Sequence, residues 1–192
     1  MNNHFINERI QESIATKERI LIDEPLLENI SKAAQAWKTA FQNDGKVLFC
    51  GNGGSAADAQ HISAELSGRF YKDRKPLFAE ALHVNSSYMT AVGNDYGYDI
   101  VFERMVQAMG RKGDVLVAIS TSGNSPNIVK AVEAAKEIGM ITIGMTGSKG
   151  GKLKEICDII LNVPSNDTPR IQESHILIGH ILCEWVELAL FE

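Results

Sequence analysis

The chain reads as an α/β protein, a three-layer α/β/α sandwich on a five-stranded parallel sheet, preceded by two helices. Short apolar runs at 47–50, 79–84, 115–119, 140–145 and 159–163 alternate with segments of helical periodicity, the order that builds βαβ units. Apart from Glu80 and His83 in the second, these runs lack the in–out alternation of half-exposed strands, so the sheet is expected to be covered on both faces. In such sheets ligands bind beyond the carboxyl ends of the strands, where the strand order reverses. The loops after the first and third runs, 51–55 and 120–125, consist almost wholly of glycine, hydroxyl and amide residues.

The elements follow in order. Phe5, Ile6, Ile10, Ile14 and Ile20/Leu21 recur near helical spacing over 5–22, and Asp23-Glu24-Pro25 ends that helix. A second helix over 26–42 carries Leu27, Ile30, Ala34, Trp37 and Phe41 and closes at Asn43-Asp44-Gly45. Both precede any strand and are expected as a separate layer, packing on the rest of the chain or on other copies. The prediction is one domain over 1–192, with a helical layer at 1–44 and an α/β core at 45–192.

Val47 to Cys50 reads as a buried strand, and Gly51 to Gly54 as a turn tolerant of positive φ. Ser55 is the expected N-cap of a helix over 56–70. Ala79–Val84 is the second strand, a short helix runs from Ser86 to Val92, 93–98 is a turn, and Phe102–Met109 is helical. Val115–Ile119 leads into Ser120-Thr121-Ser122-Gly123-Asn124-Ser125-Pro126, with Ser125 as N-cap and Pro126 at the first position of a helix over 127–138. A strand over 140–145, a short helix around 150–156, a strand over 159–163 and a long helix from Arg170 to Leu190 complete the chain.

A length of 192 residues supports a core without staples, and 44% hydrophobic with 22% charged residues is ordinary for a globular protein. The formal charge of −5 argues against a general nucleic-acid binder, which needs a basic face. No apolar run approaches a membrane span and no signal-peptide pattern opens the sequence. The three cysteines, Cys50, Cys157 and Cys183, form no metal spacing and sit in apolar contexts. Buried thiols in a reducing compartment are expected, with the cytoplasm as the location.

Four hydroxyls in the six residues 120–125, ahead of a helix, suit a phosphate ester better than a lone capping serine requires. Neither small-residue loop contains Gly-Lys-Ser/Thr, which disfavours nucleotide hydrolysis. Gly51 to Ala56 fits G-x-G-x-x-A, but the second strand ends at His83-Val84-Asn85 without the acidic residue of a dinucleotide site. His61 and Glu65 share a helix face at i and i+4. That spacing suits a surface ion pair, two metal ligands, or an acid–base group with its orienting partner. On the last helix Gln172, His175, Gly179 and His180 interrupt an apolar segment, and each histidine is either buried and satisfied or part of a cavity. Gln172 and His180 project within about 80° of each other yet stand about 12 Å apart along the axis. If both serve one small site, one is expected from a neighbouring subunit.

Together these residues resemble the sugar isomerase (SIS) domain family, in its branch acting on seven-carbon sugar phosphates. The resemblance runs through Cys50 to Ser55, Asp58 to His61 with Glu65, Gly93 to Asp95, Ser120 to Ser125, Thr146-Gly147 with Gly150-Gly151, and Arg170 to Glu173 with His175 and His180. It implies a flavodoxin-like fold and a homotetramer with active sites between subunits. It also implies an aldose–ketose isomerase that converts sedoheptulose 7-phosphate to D-glycero-D-manno-heptose 7-phosphate, opening ADP-heptose and lipopolysaccharide core synthesis. By the same resemblance Asn52, Gly53, Gly54, Glu65, Asn94, Asp95 and Gln172 contact substrate, while Ser120, Thr121, Ser122 and Ser125 hold the phosphate. Glu65 and His180 move protons, and His61, Glu65, Gln172 and His180 occupy zinc-ligand positions, one ion per subunit. The sequence departs from some members at Pro169, where they carry an aspartate. A relative within the family is a non-catalytic binding factor for the replication initiator protein and has lost the acid and imidazole equivalent to Glu65 and His180. This sequence keeps both, which favours catalysis.

Overall fold

The structure, a computed structural model, describes residues 3–191. Two helices, α1 (Asn3–Leu21) and α2 (Glu24–Gln42), precede the first strand, β1 (Val47–Gly51). The chain continues through α3 (Gly54–Ser67), β2 (Ala79–Ala81), α4 (Ser86–Tyr96), a single 3₁₀ turn at Tyr98–Ile100 and α5 (Val101–Met109). Then come β3 (Val115–Ile119), α6 (Pro126–Ile138), β4 (Ile141–Thr146), α7 (Leu153–Ile156), β5 (Ile159–Asn162) and α8 (Thr168–Leu190).

The five strands are parallel in the order β2-β1-β3-β4-β5. This is the flavodoxin-like order, whose switch point lies between β1 and β3. Alternate residues along each strand serve opposite layers. Phe49, Val117, Ile143 and Leu161 join α2, α3 and α8 in one core, whereas Leu48, Cys50, Leu116 and Ala118 join α4, α5, α6 and α7 in the other. Trp37 of α2 meets Phe49 edge-on at 5.5 Å. Lys46 and Asp114, buried at the starts of β1 and β3, form an ion pair at 2.5 Å. The same carboxylate accepts the Lys46 and Arg111 amides, fixing the register of the two strands that flank the switch point.

The leading helices do not form one separate layer. α2 lies within the sheet's own cover, while α1 rests on α8 and α2 and leaves Ile6, Ile10, Ile14 and Leu21 exposed. Other boundaries shift for local reasons. The α3 helix begins at Gly54 with Gly53 at the cap position, so Ser55 is buried in the first turn rather than capping it. It ends at Ser67, where Gly68 closes it, leaving Phe70 in the following strap. The β2 strand is only Ala79–Ala81: the Leu82 amide still donates to the Phe49 carbonyl at 2.9 Å, but the Val84 amide bonds back to the Ala81 carbonyl at 3.3 Å, and that turn, containing His83, ends the strand. Asn85 caps α4 through its side chain, and that helix runs through Gly93 and Asn94 to Tyr96 instead of stopping at Val92. Pro169 sits in the first turn of α8, where a missing N–H costs nothing, so the helix starts at Thr168 rather than Arg170.

All three thiols are free, with Cys50 and Cys183 buried and Cys157 half-buried. Burial pushes Cys157 and Cys183 each up to about 12 and Cys50 higher still, so none is a reactive thiolate.

Candidate active site

The site is built on two helices lying side by side in the same direction. Gly54 of α3 faces Gln172 of α8, Ile62 packs on Gly179, and the Cys183 thiol lies 4.0 Å from the Ile62 carbonyl. A Cβ at Gly179 would collide with the Ile62 side chain, so this glycine is what lets the helices approach closely. The approach brings the next residue, His180, onto the exposed face of α3. His61 Nε2 stands 3.1 Å from Glu65 Oε1 and 3.2 Å from His180 Nε2, and the two imidazole rings are 5.1 Å apart. One potential ligand atom from each of His61, Glu65 and His180 falls within 4.8 Å of the others. The His61 side chain is 51% and that of Glu65 27% exposed, which leaves the cluster open to a ligand. The i, i+4 pair on α3 therefore supplies two members of a three-residue constellation completed by α8.

Gln172 stands apart from it. Its amide packs against Gly54, seven residues before His61 on α3, in keeping with the separation along α8 expected from the sequence. One carboxylate oxygen of Asp58 is buried without a hydrogen-bond partner among the described residues. Burial raises that carboxyl to about 6, with His61 opposing the shift. His175 belongs to the core: it is fully buried, with Nε2 3.2 Å from the Thr146 carbonyl.

The β1–α3 turn is held by a network the sequence reading missed. Asn52 and the buried Asn127 exchange amide hydrogen bonds of 2.9 Å each way, and the Tyr98 hydroxyl donates to Asn52 Oδ1 at 3.1 Å. Asn127 gave no signal beyond being a polar residue at the start of an apolar helix. Gly53 is open and Gly54 is backed by Gln172, so residues 52–54 form one rim of the site. Asn94 and Asp95 stand exposed at the end of α4 and bond each other at 2.8 Å. The Tyr98 contact lays the turn after them over Asn52.

In the hydroxyl loop, Ser120 Oγ lies 3.1 Å from Ser125 Oγ and 3.4 Å from Ser122 Oγ. Ser125 occupies the cap position of α6 but makes no capping bond, so its hydroxyl is aimed at the loop. Gly123, at φ 68°, abuts the Gly150 carbonyl; no side chain fits there, and the glycine locks this loop to the one after β4. Thr121, Ser122 and Asn124 face Ser148, Lys149 and Ser165 across a cavity of about 340 Å³. Lys149 is the cation in that lining, a second residue the sequence reading passed over.

The doubly wound sheet carries a hydroxyl loop at its switch point and a His–Glu–His cluster between α3 and α8, and the SIS domain model matches residues 10–147. The phosphoheptose isomerase of Aneurinibacillus thermoaerophilus is 54% identical over 189 residues, covering 98% of this chain and 96% of that protein. That of Clostridium acetobutylicum is 54% identical over 188 residues, with the same coverage. Among solved structures, phosphoheptose isomerase from Neisseria gonorrhoeae superposes with a TM-score of 0.91 at 46% identity, covering 97% of this chain and 98% of that one. The enzyme from Francisella tularensis gives 0.93 at 41% identity, covering 98% and 100%. The chain belongs to the SIS domain family and, within it, to the phosphoheptose isomerases; it is an isomerase enzyme.

Proposed function

We propose that the enzyme interconverts sedoheptulose 7-phosphate and D-glycero-D-manno-heptose 7-phosphate, the step that opens ADP-heptose and lipopolysaccharide core synthesis, in the cytoplasm. The observation that carries this reading is the convergence of Glu65, His61 and His180 on an exposed face of α3 and α8. The names of the relatives support the substrate class. Aldose–ketose interconversion moves a proton between C1 and C2 through an enediol. Glu65 takes the proton at carbon and His180 exchanges one at oxygen, with His61 orienting Glu65 through their 3.1 Å contact. Asn52, Gly53, Gly54, Asn94, Asp95 and Gln172 line the sugar. Ser120, Thr121, Ser122 and Ser125 hold the phosphate.

Two imidazoles and a carboxylate in mutual reach are a donor set suited to zinc. His61, Glu65 and His180 would hold the ion; Gln172, which stands apart from them within one chain, would join as a fourth ligand from a neighbouring subunit. Bound there, zinc supplies Lewis acidity toward hydroxyl and carbonyl oxygens. Ligation makes Glu65 a weaker base, so isomerisation of sedoheptulose 7-phosphate measured with and without a chelator tests reaction and metal together. No isomerisation in either condition would overturn the proposal.

The separation of Gln172 from His180 supports an active site completed by a neighbouring subunit of a homotetramer. An apolar groove of about 400 Å³ between α1, α2 and α8, with Ile14, Leu21 and Leu27 at its edges, supports assembly through that face. Phosphate seating yields a further expectation. Lys149 is the cation facing the hydroxyl loop, and a charge-assisted hydrogen bond contributes about 1.5 kcal/mol or more. Lys149→Met is expected to raise KM about tenfold and leave kcat within about twofold. Steady-state kinetics checks this, and an unchanged KM would remove Lys149 from the phosphate site.

A further inference from the structure

We propose that the buried Glu187–Arg74 pair is a positioning device that sets α3 against α8, and so fixes how Glu65 and His61 meet His180. The inference rests on the reading of those three residues as the working site.

Glu187 lies seven residues beyond His180 on α8, so the two project to the same side of the helix, within about 20° and about 10 Å apart along the axis. Its carboxylate is almost wholly removed from solvent, as is the Arg74 guanidinium, each 2% exposed. One oxygen accepts the Tyr71 and Lys72 amides at 2.7 Å each. The other accepts the Phe70 amide at 3.2 Å and Arg74 Nε at 2.8 Å. Four donors saturate the acceptor capacity of a carboxylate. The segment they come from, 69–75, belongs to no helix or strand, so a side chain on α8 supplies what a ladder would otherwise supply. These bonds hold the Glu187 carboxyl below its usual range despite burial.

Arg74 carries the restraint back to α3. Its two terminal nitrogens donate to the carbonyls of Glu65, at 2.9 Å, and Leu66, at 2.8 Å. These lie in the last turn of α3, where carbonyls lack helical partners and a positive charge is favoured. The backbone of Glu65 itself is thus tied through one guanidinium to Glu187. The strap so held presents Phe70, whose ring lies 5.8 Å from the His180 ring. Both helices that carry the site are therefore fixed by one ion pair two turns beyond it. Any looseness there changes the His61–His180 separation directly, because Gly179 interposes no side chain between the helices.

Glu187→Gln keeps size and shape but turns donors toward donors. Arg74→Lys keeps the charge beside Glu187 but gives up the two-carbonyl fork. The measurements are uptake of cobalt(II) by metal-stripped protein, followed by its visible absorption, and kcat and KM with sedoheptulose 7-phosphate, all well below the unfolding temperature. Both variants are expected to bind cobalt(II) about 10- to 100-fold more weakly and to lose kcat to a similar extent. KM should change by no more than about twofold. Arg74→Lys is the milder and decides the matter if Glu187→Gln does not fold. A variant with a lowered unfolding temperature but native cobalt affinity, spectrum and kcat shows a merely structural pair and overturns the inference. If the wild type isomerises without taking up cobalt(II), the kcat and KM comparison decides alone. A wild type that neither binds the metal nor isomerises the sugar phosphate overturns the reading of the site, and the positioning role with it.

Discussion

Glu65→Gln is expected to lower kcat by roughly 10²–10⁴-fold while KM for sedoheptulose 7-phosphate stays within about threefold. Glutamine matches the carboxylate in size and can still bond His61, which sits 3.1 Å away, so the constellation survives and only proton transfer is lost. His180→Ala should fall comparably, since it removes the group proposed to exchange a proton at oxygen together with the His61 contact at 3.2 Å. The two losses should not multiply in the double variant, because losing either residue already halts the same enolisation step. Steady-state rates on both sugar phosphates, with the elution volume of each variant compared with wild type, check the claim. A near-normal rate in either single variant would overturn the assignment of that residue.

The sheet was legible because a buried parallel strand has a simple signature. The runs containing Val47, Val115, Ile143 and Ile160 needed no tertiary knowledge, and the hydroxyls of 120–125 marked a strand's carboxyl end unaided. Boundaries were less so, for local reasons. Gly93 and Asn94 read as a turn but lie inside α4, because the Asn85 cap and the burial of Val92 outweigh the low helix propensity of those residues. Ser55 looked like a cap, yet the preceding glycines bend the chain sharply enough to begin the helix two residues earlier.

At the site, one helix face was readable and the meeting of two faces was not. His61 and Glu65 pair by spacing alone, whereas bringing His180 to them depends on the direction and closeness of α3 and α8. Closeness turns on Gly179, which in the sequence is simply a glycine within an apolar run. The same limit hid Glu187 and Arg74. A glutamate at the end of a helix and an arginine in the charged stretch 72–75 look like solvated surface, and only their separation of 113 positions closing to 2.8 Å reveals a buried pair. Asn127 and Lys149 were hidden likewise: the first bonds Asn52, and the second lines a cavity with Thr121 and Ser122, all distant in sequence.

His175 gives the sharpest stability prediction. It is fully buried between α8 and the end of β4, donating through Nε2 to the Thr146 carbonyl, while Nδ1 has no partner among the described residues. Burial lowers its pKa from 6.5 to about 4, the Thr146 bond opposing only part of the shift. Above pH 6.5 the imidazole is neutral in both folded and unfolded chains and contributes no pH dependence. Between 6.5 and about 4 the unfolded chain holds a proton that the folded chain refuses, so stability falls as the pH falls. The slope is about 1.4 kcal/mol per pH unit, reaching about 3 kcal/mol near pH 4. His175→Gln keeps a donor where Nε2 stood and removes the titration. The variant is expected to be less stable than wild type at pH 7.5, through altered packing, yet to lose about 2 kcal/mol less on acidification to pH 5. Urea unfolding at pH 7.5, 6 and 5, at one protein concentration, measures the difference, and other carboxylates and histidines cancel because both proteins carry them. Parallel pH curves for the two proteins would show that His175 is not a neutral core residue. Because Thr146 leads into Gly147 and Lys149, the predicted loosening in acid begins at the wall of the cavity those two residues line.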